Sequence, residues 1–142
     1  MRPALAVPAA ALAVALAVSA CGGDDGSAPG ALTAEQSQQI AGVAALATNA
    51  YASAGPEALY DYLAADVAAK CPQEALAKAL AGQDAPSAFR RLKAVESDGV
   101  RATATLVQAF GKDEREVRWV FVEQREGMWR LADAPGLERC AS

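Results

Sequence analysis

The hydrophobic period of this chain changes once, across "QDAPSA" (83–88). Before it, apolar residues recur at helical spacing; after it, they alternate. A chain that runs helices first and strands second has to lay one set on the other. "TAEQ" from Thr33 reads as a capping box that opens a first helix, with Gln36 placed to reach back. Ile40, Val43, Ala44, Ala47, Ala50, Tyr51 and Ala54 follow on one stripe, and Gly55 ends it. Pro56 suits the first turn of a second helix, "PEALYDYLA", with Leu59, Tyr62 and Leu63 inward. "CPQEALAKALAG" reads as a third, with Pro72 and Glu74 in its first turn, Leu76 and Leu80 inward and Gly82 as the stop.

Four strands are expected beyond the switch. "FRRLKAVES" leads into Asp98-Gly99, a strong hairpin signal. "VRATATLVQAF" places Val100, Ala102, Ala104, Leu106 and Phe110 on one face, with Gln108 as the polar exception. After a turn at "GKDE", "REVRWVFVEQ" puts Val117, Trp119 and Phe121 together. Glu126-Gly127 turns into "MWRLAD", where Trp129 and Leu131 share a face. The expectation is an α+β fold: three N-terminal helices packed on an antiparallel meander of about four strands. No internal repeat has a fixed period.

The first 32 residues are of another kind. Met1-Arg2 is followed by an uncharged run from Pro3 to Ala20, the pattern of a secretory signal. "VSAC" at its end resembles the bacterial lipobox. That resemblance implies cleavage before Cys21, a lipid on its thiol and an acyl group on its new amino terminus. An ordinary signal peptide cut nearby, or an uncut anchor helix, are the rival readings. Alanine content and Pro3 and Pro8 make the run a poor permanent span. All three readings export the rest of the chain, since Arg2 stays inside. "GGDDGSAPGAL" then reads as a flexible tether. The expected organisation is a signal peptide at 1–20, a lipidated N-terminus and tether at 21–32, and a domain at 33–142. The expected location is the extracytoplasmic side of a cell membrane.

Cysteine parity fits that reading. With Cys21 taken by lipid, Cys71 and Cys140 remain, and in an oxidising compartment they are expected to pair. A loop of about 70 residues makes such a bridge worth about 4 kcal/mol in the chain-entropy model. Two reduced, buried thiols are the alternative.

Charge and residue types narrow the function. The 17 Asp and Glu against 13 Lys and Arg give a net charge of −4, or −5 once Arg2 leaves. An acidic domain has no electrostatic footprint for nucleic acid. There is no histidine, which excludes histidine triads and most zinc sites. No metal or cofactor is expected.

"VRWVFVEQREGMWRLAD", following helices, resembles the closing strands of the nuclear transport factor 2-like superfamily. The features that carry it are an apolar strand, the turn at Gly127, and Trp129 before Leu131; "YDYLAADVAAKCPQEALAKAL" is similar to the helical region of small exported members. The resemblance covers about Thr33 to Cys140. It implies a cone in which a curved sheet wraps the first helix, a pocket inside often holding a small apolar molecule, and frequent dimerisation through the sheet.

Two sets of candidate residues follow. Tyr51, Tyr62, Leu106, Trp119, Phe121 and Trp129, with Phe110, are placed to line a pocket or to fill it. The opposite sheet face should carry Arg101, Thr103, Thr105, Val107, Arg118, Val120, Val122 and Arg130. Clustered valines with arginines suit a homodimer or envelope-partner surface. Asp61 and Asp66 with Tyr51, Tyr60 or Tyr62 are the only credible acid–base groups. "KDERE" (112–116) reads as a solvated hairpin tip, and "RRLK" (90–93) as a charged strand edge or a headgroup contact. The expected function is a non-enzymatic binding or accessory module, acting through the sheet face or a small apolar cavity. The alternative is a small isomerase or dehydratase using an Asp/Tyr pair.

Overall fold

The computed structural model describes residues 32–140. The expected leader, Cys21 and the tether as far as residue 31 lie outside the described residues. Helix α1 spans Ala34–Ala54. Its capping box is complete: the Gln36 N–H donates to Thr33 Oγ1 at 3.1 Å, and the Thr33 N–H donates to Gln36 Oε1 at 2.9 Å. At the far end the Gly55 N–H donates to the Tyr51 carbonyl.

The second helical segment departs from expectation. Pro56–Tyr62 is a 3-10 helix, and a short α2 follows at Ala65–Lys70. The break has a tertiary cause. Leu63 makes a parallel bridge with Leu131, and the Ala64 N–H donates to the Leu131 carbonyl at 2.8 Å. Those two residues are extended so that they can dress a strand edge, and a continuous helix would withhold their backbone groups. Helix α3, Gln73–Leu80, then buries Leu76 and Leu80.

Four strands follow: β1 Ala88–Ser97, β2 Arg101–Phe110, β3 Asp113–Arg125 and β4 Met128–Asp133. They form one open antiparallel sheet in the order β1-β2-β3-β4. The molecule is therefore α+β, with its helices N-terminal to a four-stranded meander. Register shifts at Phe89/Arg91 and Leu92/Ala94 of β1, and at Val120/Phe121 and Glu123/Arg125 of β3, add local bend and twist.

The core lies between the helices and one sheet face. Ala102, Ala104 and Leu106 of β2 oppose Phe121, Trp119 and Val117 of β3, and Leu131 opposes Phe121 from β4. Ile40, Ala44 and Ala47 of α1 are wholly buried, as are Phe121, Leu106 and Leu131. Val100 is a correction. It was expected on the inward face, yet it is 68% exposed. The Asp98 carboxylate accepts the N–H groups of both Val100 and Arg101, so the turn extends through residue 100. The same hydrogen bonds hold the Asp98 carboxyl below its ordinary pKa.

The outer sheet face is uneven. Arg91, Val107 and Glu116 form one cross-strand row, and Ala88, Ala109 and Glu114 form the next. Arg90 and Arg91 pair with Glu114 at 3.5 and 3.9 Å, and Lys93 pairs with Glu116. These long side chains reach over β2 and roof Val107 and Ala109, which are buried beneath them. "RRLK" and "KDERE" are thus each other's partners.

The sulfurs of Cys71 and Cys140 stand at disulfide distance, with Cα atoms 5.3 Å apart. The pair joins the start of α3 to a terminal 3-10 turn, Leu137–Arg139. That turn packs tightly at Gly136, whose φ is +96° and where a Cβ would stand 2.8 Å from Leu80 Cδ2. Only glycine suits both the backbone and the gap. No helix among the described residues is long and apolar enough to cross a membrane.

Candidate functional site

The helical layer does not cover the whole inner face of the sheet. Where β2 ends and β3 begins, a cavity of about 190 Å³ opens to solvent. Its apolar walls come from Leu59 of the first 3-10 helix, Leu80 of α3, Val117 and Trp119 of β3, and the Ala134-Pro135 segment. Tyr51 enters from α1, and Gln108 from β2. At the mouth, Arg115 pairs with Asp84 at 2.9 Å and lays its guanidinium 4.5 Å from the centre of the Phe110 ring. That stacking half-covers Phe110 and balances the charge of the rim.

The polar side chains of the lining that are buried, Tyr51, Gln108 and Trp119, are neutral, and its charged ones, Asp84, Arg115 and Glu116, are exposed. Gln108 is 1% exposed, and its Nε2 donates to Thr48 Oγ1 at 2.9 Å. Thr48 lies one helical turn before Tyr51 on α1, and Gln108 and Tyr51 line the same cavity. Tyr51 is 7% and Trp119 3% exposed. Among the described residues, neither the Tyr51 hydroxyl, the Trp119 Nε1 nor the Gln108 Oε1 has a protein partner. Yet no sealed side-chain nitrogen or oxygen among the described residues lacks one. The three atoms therefore keep accessible surface, and the open space that their side chains line is this cavity. Burial also raises the Tyr51 pKa above its ordinary value, because the phenolate loses more hydration than the phenol. The group stays a protonated donor through neutral pH.

Of the expected pocket residues, Tyr51 and Trp119 line the cavity. Leu106, Phe121 and Trp129 fill the core instead, and Tyr62 is half-buried away from the opening. Trp129 is pinned there, its Nε1–H donating to Gln39 Oε1 at 3.2 Å. Asp61 and Asp66 are exposed and do not join Tyr51 in the cavity. The carboxylates that line it are Asp84, paired with Arg115, and Glu116, paired with Lys93, and both are exposed.

The outer-face residues divide. Arg101 and Arg118 are exposed, and Thr103, Thr105, Val120 and Val122 are half-buried. Val107 is closed off beneath the ion pairs. Arg130 curls round the β4 edge and donates to the Asp61 carbonyl. Of the residues that sequence reasoning missed, Gln108 left a signal, as the one polar side chain on an apolar stripe. Asp84 and Arg115 left none, since they meet only when the strands pair.

The class of protein defined here is a small α+β module with a solvent-open cavity at one end of its core. No family model matches the chain, and neither a curated protein nor a solved structure matches it.

Proposed function

We propose that this chain is an exported lipoprotein, acylated on Cys21, whose domain at 33–142 is a non-enzymatic binding module for a small ligand. The observation that carries the reading is the cavity, with three near-buried polar atoms that the protein leaves without partners. Binding sites are typically apolar hollows with a few convergent polar groups. The likeness of "VRWVFVEQREGMWRLAD" to nuclear transport factor 2-like proteins points the same way, since that family is built round such a hollow. Export is supported by the apolar run ending in "VSAC" and by a cysteine pair suited to an oxidising compartment. A dimer or partner on the outer face has less behind it, because Val107 is roofed and Arg130 is engaged elsewhere. The isomerase reading lacks its base, because Asp61 and Asp66 face solvent.

Native mass spectrometry of the detergent-extracted protein tests the proposal. The expected mass is that of the chain from Cys21 onward, with acyl chains added, two hydrogens lost to the bridge, and a small molecule retained. Palmitate labelling that persists in Cys21→Ala would overturn the anchor. A chain that binds no small molecule in the test below would overturn the module.

A further inference from the structure

Resting on the cavity reading, we infer that the ligand is a compact, uncharged ring compound carrying an amide-type pair, a carbonyl acceptor beside an N–H donor. Size sets the first limit. At about 190 Å³ the cavity lies below the usual range for drug-sized ligands, about 300–1,000 Å³, so the part of a ligand that it encloses is no larger than one substituted ring. Charge sets the second. Tyr51, Trp119 and Gln108 are neutral, and the charged residues of the lining are already paired at the mouth, Asp84 with Arg115 and Glu116 with Lys93. An ionised ligand would be buried without a counter-ion, which is strongly unfavourable.

The hydrogen-bond pattern sets the third. Two tryptophans stand on the same sheet face. Trp129 has its N–H taken by Gln39, whereas Trp119 lines the cavity and its N–H has no partner among the described residues. The Tyr51 O–H offers a second donor, and Gln108 offers its Oε1 as an acceptor. A ligand carbonyl accepts from Trp119 or Tyr51, and a ligand N–H donates to Gln108. Tyr51, Trp119 and Gln108 line one small cavity, so a single functional group that both accepts and donates suits them. A purely apolar ligand would displace water from all three atoms and replace none of its hydrogen bonds.

Three single-ring probes decide the matter: benzamide, its isostere benzoate and the apolar toluene, titrated into the full mature chain while its two indole N–H resonances are followed. The expected result is that benzamide binds about ten-fold more tightly than either of the others. It should shift the Trp119 indole signal and leave that of Trp129 in place. Tyr51→Phe, which keeps the ring, should weaken benzamide several-fold and leave toluene unchanged. If toluene binds as well as benzamide, or benzoate binds best, the ligand class is overturned while the binding module stands. If none of the three moves the Trp119 signal, and pressurised xenon does not either, the cavity reading falls with it.

Discussion

The two ends of the molecule are built on the same helix and the same sheet face, yet they end differently. At the β4 end, Trp129 is buried and its indole N–H is satisfied by Gln39 of α1. Phe121, Leu131 and Ile40 are wholly buried in the core that both tryptophans share. At the other end, Trp119 is almost as buried, but it lines the cavity together with Tyr51 and Gln108, and its N–H has no partner among the described residues. The contrast separates residues that a fold needs from residues that a ligand needs. A core polar group that finds a partner within the chain is structural, whereas one left facing a hollow is available for recognition.

The sharpest way to break that contrast is to empty the core that the two tryptophans share. Phe121→Ala should cost about 3–5 kcal/mol in a denaturant melt, because a wholly buried ring leaves a cavity that its neighbours cannot fill. A cost below about 1 kcal/mol would mean that the shared core is looser than the burial of Phe121 implies. Removing the bridge comes next. Cys71→Ala with Cys140→Ala should cost about 2–4 kcal/mol. Amide exchange should rise first in residues 134–140, whose Ala134 and Pro135 wall the cavity, and should leave α1 and the β3–β4 hairpin protected. Uniform acceleration would show that the bridge guards the whole fold rather than the open end.

Gln39→Ala tests the pinned tryptophan directly. It should cost about 1–3 kcal/mol, since the Trp129 N–H then loses its partner in a largely buried place. A much smaller loss would erase the distinction between the two indoles. The smallest effect belongs to Tyr51. Its pKa is raised in the folded state, so the unfolded chain releases that proton first as pH climbs past about 10. Tyr51 therefore contributes no pH dependence below that point, and stability should fall with rising pH above it. Tyr51→Phe should remove part of that alkaline decline while changing stability at neutral pH by less than about 1 kcal/mol. An unchanged alkaline limb would place the Tyr51 hydroxyl in bulk water rather than in the cavity.

Much of this architecture is written in the residues themselves. The change of period at 83–88, the capping box at Thr33 and the turns at Asp98-Gly99 and Gly127 are local features, decided by backbone chemistry within a few positions. They establish α+β class, element order and strand faces before any long-range contact is known. Cysteine parity, likewise, needs only a count. Other features depend on groups that are remote in sequence. The 3-10 helix at Pro56–Tyr62 exists because Leu63 and Ala64 turn aside to meet Leu131, 67 or more residues away along the chain. The roof over Val107 exists because β1 and β3 bring opposite charges across β2. Whether an inward aromatic fills the core or borders a hollow was settled the same way: Trp119 and Trp129 look alike in sequence, and only the reach of α1 leaves one with Gln39 and the other with an open cavity.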